Sequence, residues 1–139
     1  TKAILGTKAL AMWRGKLPGP LDVAKESCDD IGHYNARGFF VIAMHSPAGS
    51  NERLKTFQRA MEFSPDDFII SAYLTEARLQ KNISAEVDAL EAAVDASYYP
   101  GERRERAKKV FTKAVKTYRI TGKAALLAEK YASESKSTD

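Results

Sequence analysis

Four side chains with the capacity for metal or nucleophile chemistry lie close together in the N-terminal third of the chain. Asp29 and His33 are four residues apart, so on a helix they would share one face and offer two ligands to a divalent metal ion. Glu26 and Cys28 lie close enough in sequence to join them. Two ligands do not complete a metal site, and Gly32 lies between them in the segment that would have to be helical. We therefore interpret Asp29 and His33 as a surface ion pair or a helix cap.

Cys28 would need a base such as His33 to act as a nucleophile. Their five-residue spacing places them on different sides of a helix, which favours Cys28 as a half-buried structural residue. His45, followed by Ser46-Pro47, is typical of a helix C-terminus. The sequence lacks a Gly-rich phosphate loop, paired-Cys zinc spacing and a nucleophile elbow. We predict a protein that is not an enzyme and that has no catalytic residues, metal or cofactor.

The strongest functional feature is a basic segment, residues 103–119, with a net charge of +7. At 100° per residue its apolar side chains occupy one arc of a helix: Ala107, Val110, Phe111, Ala114, Val115 and Tyr118. A stripe of cations lies on the other side: Arg106, Lys109, Lys113 and Lys116, flanked by Lys108 and Arg119. The segregation predicts one face for the core and one for an anionic partner, unless the cations only solvate an exposed face.

The charge distribution decides which partners are plausible for this stripe. Residues 62–95 carry a net charge of −6, so an acidic region of a partner or of a second copy can meet the basic segment. We therefore expect a non-catalytic adaptor or assembly subunit of a larger complex, which binds an acidic protein surface or self-associates. The alternative is a nucleic-acid-binding protein that contacts phosphates through residues 103–119. Docking on an anionic membrane is disfavoured, because the apolar arc lacks Trp and Leu.

Composition indicates a globular protein. The chain has 139 residues, of which 44% are hydrophobic and 29% charged, and we expect one helical domain over residues 1–136 with a polar disordered tail at 133–139. The longest continuous apolar candidate, residues 39–44, is far shorter than the ~20 residues that cross a bilayer, so we predict no membrane span. One cysteine and no apolar leader favour a cytoplasmic or organelle-matrix location.

Caps and breakers predict a succession of helices that position these residues. Ser50 or Asn51, Ser64-Pro65 and Ser84 are typical of helix starts, and Gly101 and Gly122 of helix ends. The predicted helices cover residues 1–13, 21–31, 38–45, 51–63, 65–81, 84–97, 102–120 and 123–133. The residues expected to be buried are Phe57, Phe68, Leu90, Phe111 and Leu127.

Residues 38–45 form a short apolar run that fits a buried helix or a buried strand. The string at residues 37–42, Arg-Gly-Phe-Phe-Val-Ile, resembles the third-strand octamer of the RNA-recognition motif, in which aromatic side chains stack on bases. It lacks the Gly between aromatic residues. A helix is favoured, since no other segment offers a strand partner and an isolated strand is not stable.

Two segments resemble the second helix of a tetratricopeptide unit, in which an aromatic residue, a small residue and a Pro recur. The matching residues are Phe57, Ala60 and Pro65 in the first segment, and Leu90, Ala93 and Pro100 in the second. The interval from Ser64 to Ser97 is 33 residues, close to the family period of about 34. The resemblance spans residues 38–136 and lacks the characteristic Trp and Gly-Tyr positions. It implies an all-α fold of antiparallel helical hairpins forming a short α-solenoid, with a plain bundle as the alternative.

Overall fold

The all-α fold is confirmed. The computed structural model describes residues 4–28 and 35–137, which form eight helices and no strand. In chain order these are α1 Leu5–Arg14, α2 Pro20–Ser27, α3 Asn35–His45, α4 Asn51–Phe63, α5 Asp67–Leu79, α6 Ile83–Ala96, α7 Glu102–Thr117 and α8 Lys123–Ser137. Residues 37–42 lie within α3, so the strand of an RNA-recognition motif is not formed there.

Several helix boundaries differ from the predicted ones. Ser64 precedes Pro65, which favours extended backbone, so Asp66 becomes the N-cap of α5. Asn82 caps α6 in place of Ser84 and accepts the Ala85 N–H at 3.0 Å. At the other end of the chain, α7 stops at Thr117 instead of residue 120. The helix α8 continues to Ser137, so the predicted polar tail begins within a helix, and residues 138–139 lie outside the described part of the chain.

The helices divide into two compact units, residues 1–81 with α1 to α5 and residues 82–139 with α6 to α8. In the first unit α3 packs against α1, α2 and α4, and α4 packs against α5. In the second unit α7 packs against both α6 and α8. One domain over residues 1–136 stays a prediction.

Aromatic side chains form the centre of the first unit. Phe40 of α3 is buried and its ring lies 5.4 Å from Trp13 of α1, 5.9 Å from Phe57 of α4 and 5.0 Å from Phe68 of α5, measured between ring centroids. Such edge and tilted contacts add to the hydrophobic gain of burial. Phe57 is buried as predicted, whereas Phe68 is only half-buried.

The second unit is built around Phe111 of α7. Its ring is fully buried and lies 5.8 Å from the ring of Tyr131 of α8 in an edge-on arrangement. Leu90 of α6 is buried as predicted, but Leu127 of α8 is only half-buried. Val110, which the sequence placed on the core arc, is 41% exposed.

The same arginine contact closes two of the hairpins. In α3–α4 and in α6–α7, an arginine near the start of the second helix donates to carbonyl oxygens ten and seven residues earlier, at the end of the first. The contacts are Arg53 with Ala43 (3.0 Å) and Ser46 (3.0 Å), and Arg104 with Val94 (3.1 Å) and Ser97 (2.8 Å). Both arginines donate to carbonyl groups that a helix end leaves without an intrahelical donor.

The tetratricopeptide resemblance stays a prediction.

Gly38 allows α2 and α3 to approach closely. A Cβ at this position would overlap the Ser27 Oγ and would lie 3.1 Å from the Ala24 carbonyl oxygen. Both Gly38 and Ser27 are buried, and the Cβ would also lie 3.1 Å from the Cys28 Sγ, so an added methyl group would be crowded by three atoms of α2 and its C-cap. Gly38 therefore allows close helix packing. It lies in the string at residues 37–42 that resembles the RNA-recognition motif.

We expect Gly38→Ala to lower the free energy of unfolding by roughly 1–3 kcal/mol, because an added methyl group overpacks the α2–α3 contact. Urea unfolding followed by the fluorescence of Trp13, the one Trp of the chain, measures this in the first unit. Adding Ser27→Ala removes the closest atom and should recover part of the loss. An unchanged midpoint for Gly38→Ala would show that the helices are not this close.

Candidate functional site

The helix α7 displays most of the predicted cations. Its first turn carries Glu102 and Glu105 and its last turn Lys116, an order that complements the helix dipole. Phe111, Ala114 and Val115 are buried, which fixes the rotation of the helix. Four of the predicted cations are exposed on this helix, Arg106, Lys109, Lys113 and Lys116, and we call them the cationic stripe.

Lys108 does not belong with the exposed cations, contrary to the sequence-based prediction. It is only 7% exposed and its ammonium group donates to Glu105 Oε1 at 3.2 Å and to Glu134 Oε2 at 2.9 Å. The nitrogen also lies 5.5 Å from the centroid of the Tyr131 ring. The hydrogen bond to Glu134 outweighs the opposing effect of burial and raises the pKa of Lys108. This residue joins α7 to α8 and presents no free charge to a partner.

Arg119 lies beyond the end of α7 instead of on the helix. Tyr118 is the C-cap, and Arg119 adopts the left-handed conformation with φ 54°. Its N–H donates to the Lys116 carbonyl at 3.2 Å, and the N–H of Ile120 donates to the Val115 carbonyl at 2.9 Å. These two bonds form the Schellman closure of a helix C-terminus. The exposed side chain of Arg119 therefore extends the cations past the helix end.

Three lysines of the cationic stripe carry uncompensated charge. Arg106 pairs with Glu102 at 3.1 Å, in an exposed contact of little energetic weight. Lys109, Lys113 and Lys116 form no ion pair with any side chain in the described part of the chain. They follow one another at i, i+4 and i+7, along about 10 Å of helix axis.

A groove follows the seam between α7 and α8 beside these lysines. One part, of about 430 Å³, is lined by Lys108, Lys109, Thr112, Lys113, Lys116, Tyr131 and Ala132. A second part, of about 300 Å³, is lined by Thr112, Val115, Lys116, Arg119, Ile120, Ala125, Ala128, Glu129 and Ala132. Because both parts share Thr112, Lys116 and Ala132, we treat them as one α7–α8 groove with a largely apolar floor.

The sequence contained a signal for this groove. The α8 segment is rich in alanine, and at Ala125, Ala128 and Ala132 these small side chains leave space beside the longer side chains of α7. In a sequence, small residues where two helices meet indicate tight core packing as readily as a groove. The groove could therefore be recognised only once the rotation of both helices was known. Tyr98 and Tyr99, in the segment that precedes α7, are 78% and 87% exposed.

The remaining candidate residues stay apart from this surface. Cys28 is half-buried at the end of α2, whereas Asp29 and His33 lie outside the described residues. His45 is the last residue of α3, as predicted, and its Nδ1 lies 2.8 Å from the Val41 carbonyl oxygen. Within residues 4–28 and 35–137, no group of three His, Cys, Asp or Glu side chains is placed to hold a metal ion.

Comparison with known proteins gives no relative. The chain matches no protein-family model, no curated protein and no solved structure. None of the helices in the described residues combines the length and the apolar character needed to cross a membrane.

Proposed function

We propose that the protein is a non-catalytic helical adaptor or assembly subunit that binds an acidic protein partner through the cationic stripe. The observation that carries this proposal is the run of uncompensated charge at Lys109, Lys113 and Lys116 along the border of the apolar α7–α8 groove. Exposed cations steer an acidic partner into the encounter. The apolar floor then offers area that a protein surface can bury.

Nucleic acid is a second candidate for the same stripe. Phosphate contacts need only the lysines, and the exposed rings of Tyr98 and Tyr99 precede the same helix, where aromatic side chains can stack on unpaired bases. The groove favours protein, because phosphates make no use of an apolar floor between two helices. A second copy of this chain is the self-associating form of the protein-partner proposal, with the exposed acids of residues 62–95, which are Glu62, Asp67 and Asp95, as the source of complementary charge.

The proposal is tested by reversing three charges in two matched variants. We expect Lys109, Lys113 and Lys116 together changed to Glu to abolish capture of acidic proteins from cells that make this protein. The control changes Lys8, Lys25 and Lys55 to Glu, which alters the net charge equally at three exposed lysines of the first unit. Quantitative mass spectrometry of the captured proteins should show a loss of about tenfold or more for the stripe variant alone.

Two results would contradict the proposal. The stripe variant and its control would capture the same proteins in the same amounts if the stripe were only a solvated face. Nuclease-sensitive capture, with nucleic acid recovered in place of acidic protein, would assign the stripe to phosphate. Because every changed side chain is exposed, both variants should retain their helices, and circular dichroism measures whether they do. Sedimentation of the purified chain separates self-association from binding to another protein.

A further inference from the structure

We propose that the α7–α8 groove holds one amphipathic helix of the acidic partner. The apolar side chains of that helix occupy the groove floor, and its acidic side chains meet Lys109, Lys113 and Lys116. This inference rests on the proposed function and adds to it the shape and the chemistry of the bound segment. Recognition of an amphipathic helix in an apolar groove is a recurring way for helical proteins to bind peptides.

The floor is suited to apolar side chains from outside. The ring of Tyr131 is buried in the second unit and lines the groove, and Ala132 beside it is exposed. Further along the seam, Val115 and Ala128 are buried and line the second part. The alanines of α8 lack bulk above Cβ, so another helix can approach closely at this seam.

The charges on the two walls differ. The α7 wall carries Lys109, Lys113 and Lys116, and the α8 wall carries Glu129. A bound helix with acids on one flank of its apolar face therefore lies with that flank toward α7 and away from Glu129. Because all helices rise about 1.5 Å per residue, acids at i, i+4 and i+7 of the partner match the three lysines along the axis.

The continuity of the groove also favours a helix over a compact ligand. Its two parts begin at Lys108 and continue past the end of α7 at Thr117 to Arg119, and both are open to solvent on one side. From Lys108 to Thr117 the helix rises by nine residues, which corresponds to about 14 Å of helix axis. This length accommodates about two and a half turns of a partner helix.

The inference is tested with two synthetic peptides of about 18 residues that share one composition. In the first, Leu and Ala form one helical face with Glu at i, i+4 and i+7 on its flank. In the second, the same residues are permuted so that no apolar face forms. Fluorescence anisotropy of each labelled peptide with the full chain should show the amphipathic peptide binding about tenfold tighter or better than the permuted one.

Two groove variants locate the binding site. Ala132 lines both parts of the groove, so Ala132→Phe fills the place where they meet. This variant should lower the affinity for the amphipathic peptide about tenfold and leave the affinity for the permuted peptide unchanged. Ser133→Phe adds a similar side chain at the next, exposed position of α8, which does not line the groove, and should change neither affinity.

The outcomes separate this inference from the proposed function. Equal binding of the two peptides, both lost when Lys109, Lys113 and Lys116 become Glu, would leave the acidic partner in place and overturn the groove as its site. An amphipathic preference that survives Ala132→Phe would also overturn it. Failure of both peptides to bind at low salt would count against the acidic partner itself, and the groove proposal would fall with it.

Discussion

Replacing Glu76 by alanine is expected to lower the free energy of unfolding of the first unit by about 3–5 kcal/mol. Glu76 of α5 is only 3% exposed and accepts hydrogen bonds from the Gly49 N–H (2.6 Å), Arg53 Nε (3.1 Å) and Gln80 Nε2 (3.0 Å). Removing the carboxylate leaves the guanidinium of Arg53 without its anionic partner in a site largely closed to water. Urea unfolding followed by Trp13 fluorescence measures the loss.

The variant Glu76→Gln separates charge from hydrogen bonding. Burial alone would raise the pKa of Glu76, but the hydrogen bonds from Gln80 and Gly49 and the charge of Arg53 together lower it below its usual value of 4.5. A carboxyl group whose pKa is lowered by folding contributes stability above its unfolded pKa, and that contribution is lost as pH falls through the folded pKa.

Wild type should therefore lose stability below about pH 4.5 more steeply than Glu76→Gln, which has no carboxylate at this position. Thermal unfolding at a series of pH values compares the two proteins. Parallel pH profiles for wild type and Glu76→Gln, or a Glu76→Ala variant as stable as wild type, would show that the hydrogen bonds and the ion pair of Glu76 contribute nothing to stability.

Truncating Phe111 to alanine should lower the stability of the second unit by about 3–5 kcal/mol. Phe111 is fully buried, contacts Tyr131 edge-on, and lies on α7, which packs against both α6 and α8. Truncation leaves a cavity beside the Tyr131 ring, and the surrounding structure closes such cavities only in part. Thermal unfolding followed by far-UV circular dichroism should show the loss as a large fall in the melting midpoint.

Val110→Ala is the matched control for Phe111→Ala. Val110 is the preceding residue of the same helix and is 41% exposed, so its truncation should cost under about 0.5 kcal/mol. A loss of stability from Val110→Ala as large as that from Phe111→Ala would mean that α7 is rotated so that Val110 also faces the core. An unchanged midpoint for Phe111→Ala would show that α7 does not pack through this side chain.

The rotation of α7 shows how far periodicity alone can go. Periodicity correctly placed Phe111, Ala114 and Val115 on the buried face of α7, because these positions recur at the helical period. The same period puts Lys108 on that face, three residues before Phe111, yet a lysine is assigned to the surface by its charge. Its contacts with Glu134, 26 residues away, and with the ring of Tyr131 explain its burial, and neither follows from the local pattern.

Helix existence was predictable and long-range contacts were not. The Ser50 cap of α4 followed from local residue types, whereas the helical character of residues 38–45 followed from the lack of a strand partner elsewhere in the sequence. The Arg53–Glu76 pair and the close approach of Gly38 to Ser27 depend on how distant helices meet, which no local pattern encodes. The cationic stripe was recognisable from sequence, but the groove beside it depends on the seam of two helices.

The central claim, that the cationic stripe binds acidic protein in preference to nucleic acid, is tested most directly by one competition measurement. The amphipathic acidic peptide and a single-stranded oligonucleotide of equal net charge compete for the full chain at physiological salt. We predict that the peptide binds about tenfold tighter and that changing Lys109, Lys113 and Lys116 to Glu abolishes its binding. Tighter binding of the oligonucleotide, with a steep salt dependence that the same variant loses, would contradict the account and assign the stripe to phosphate.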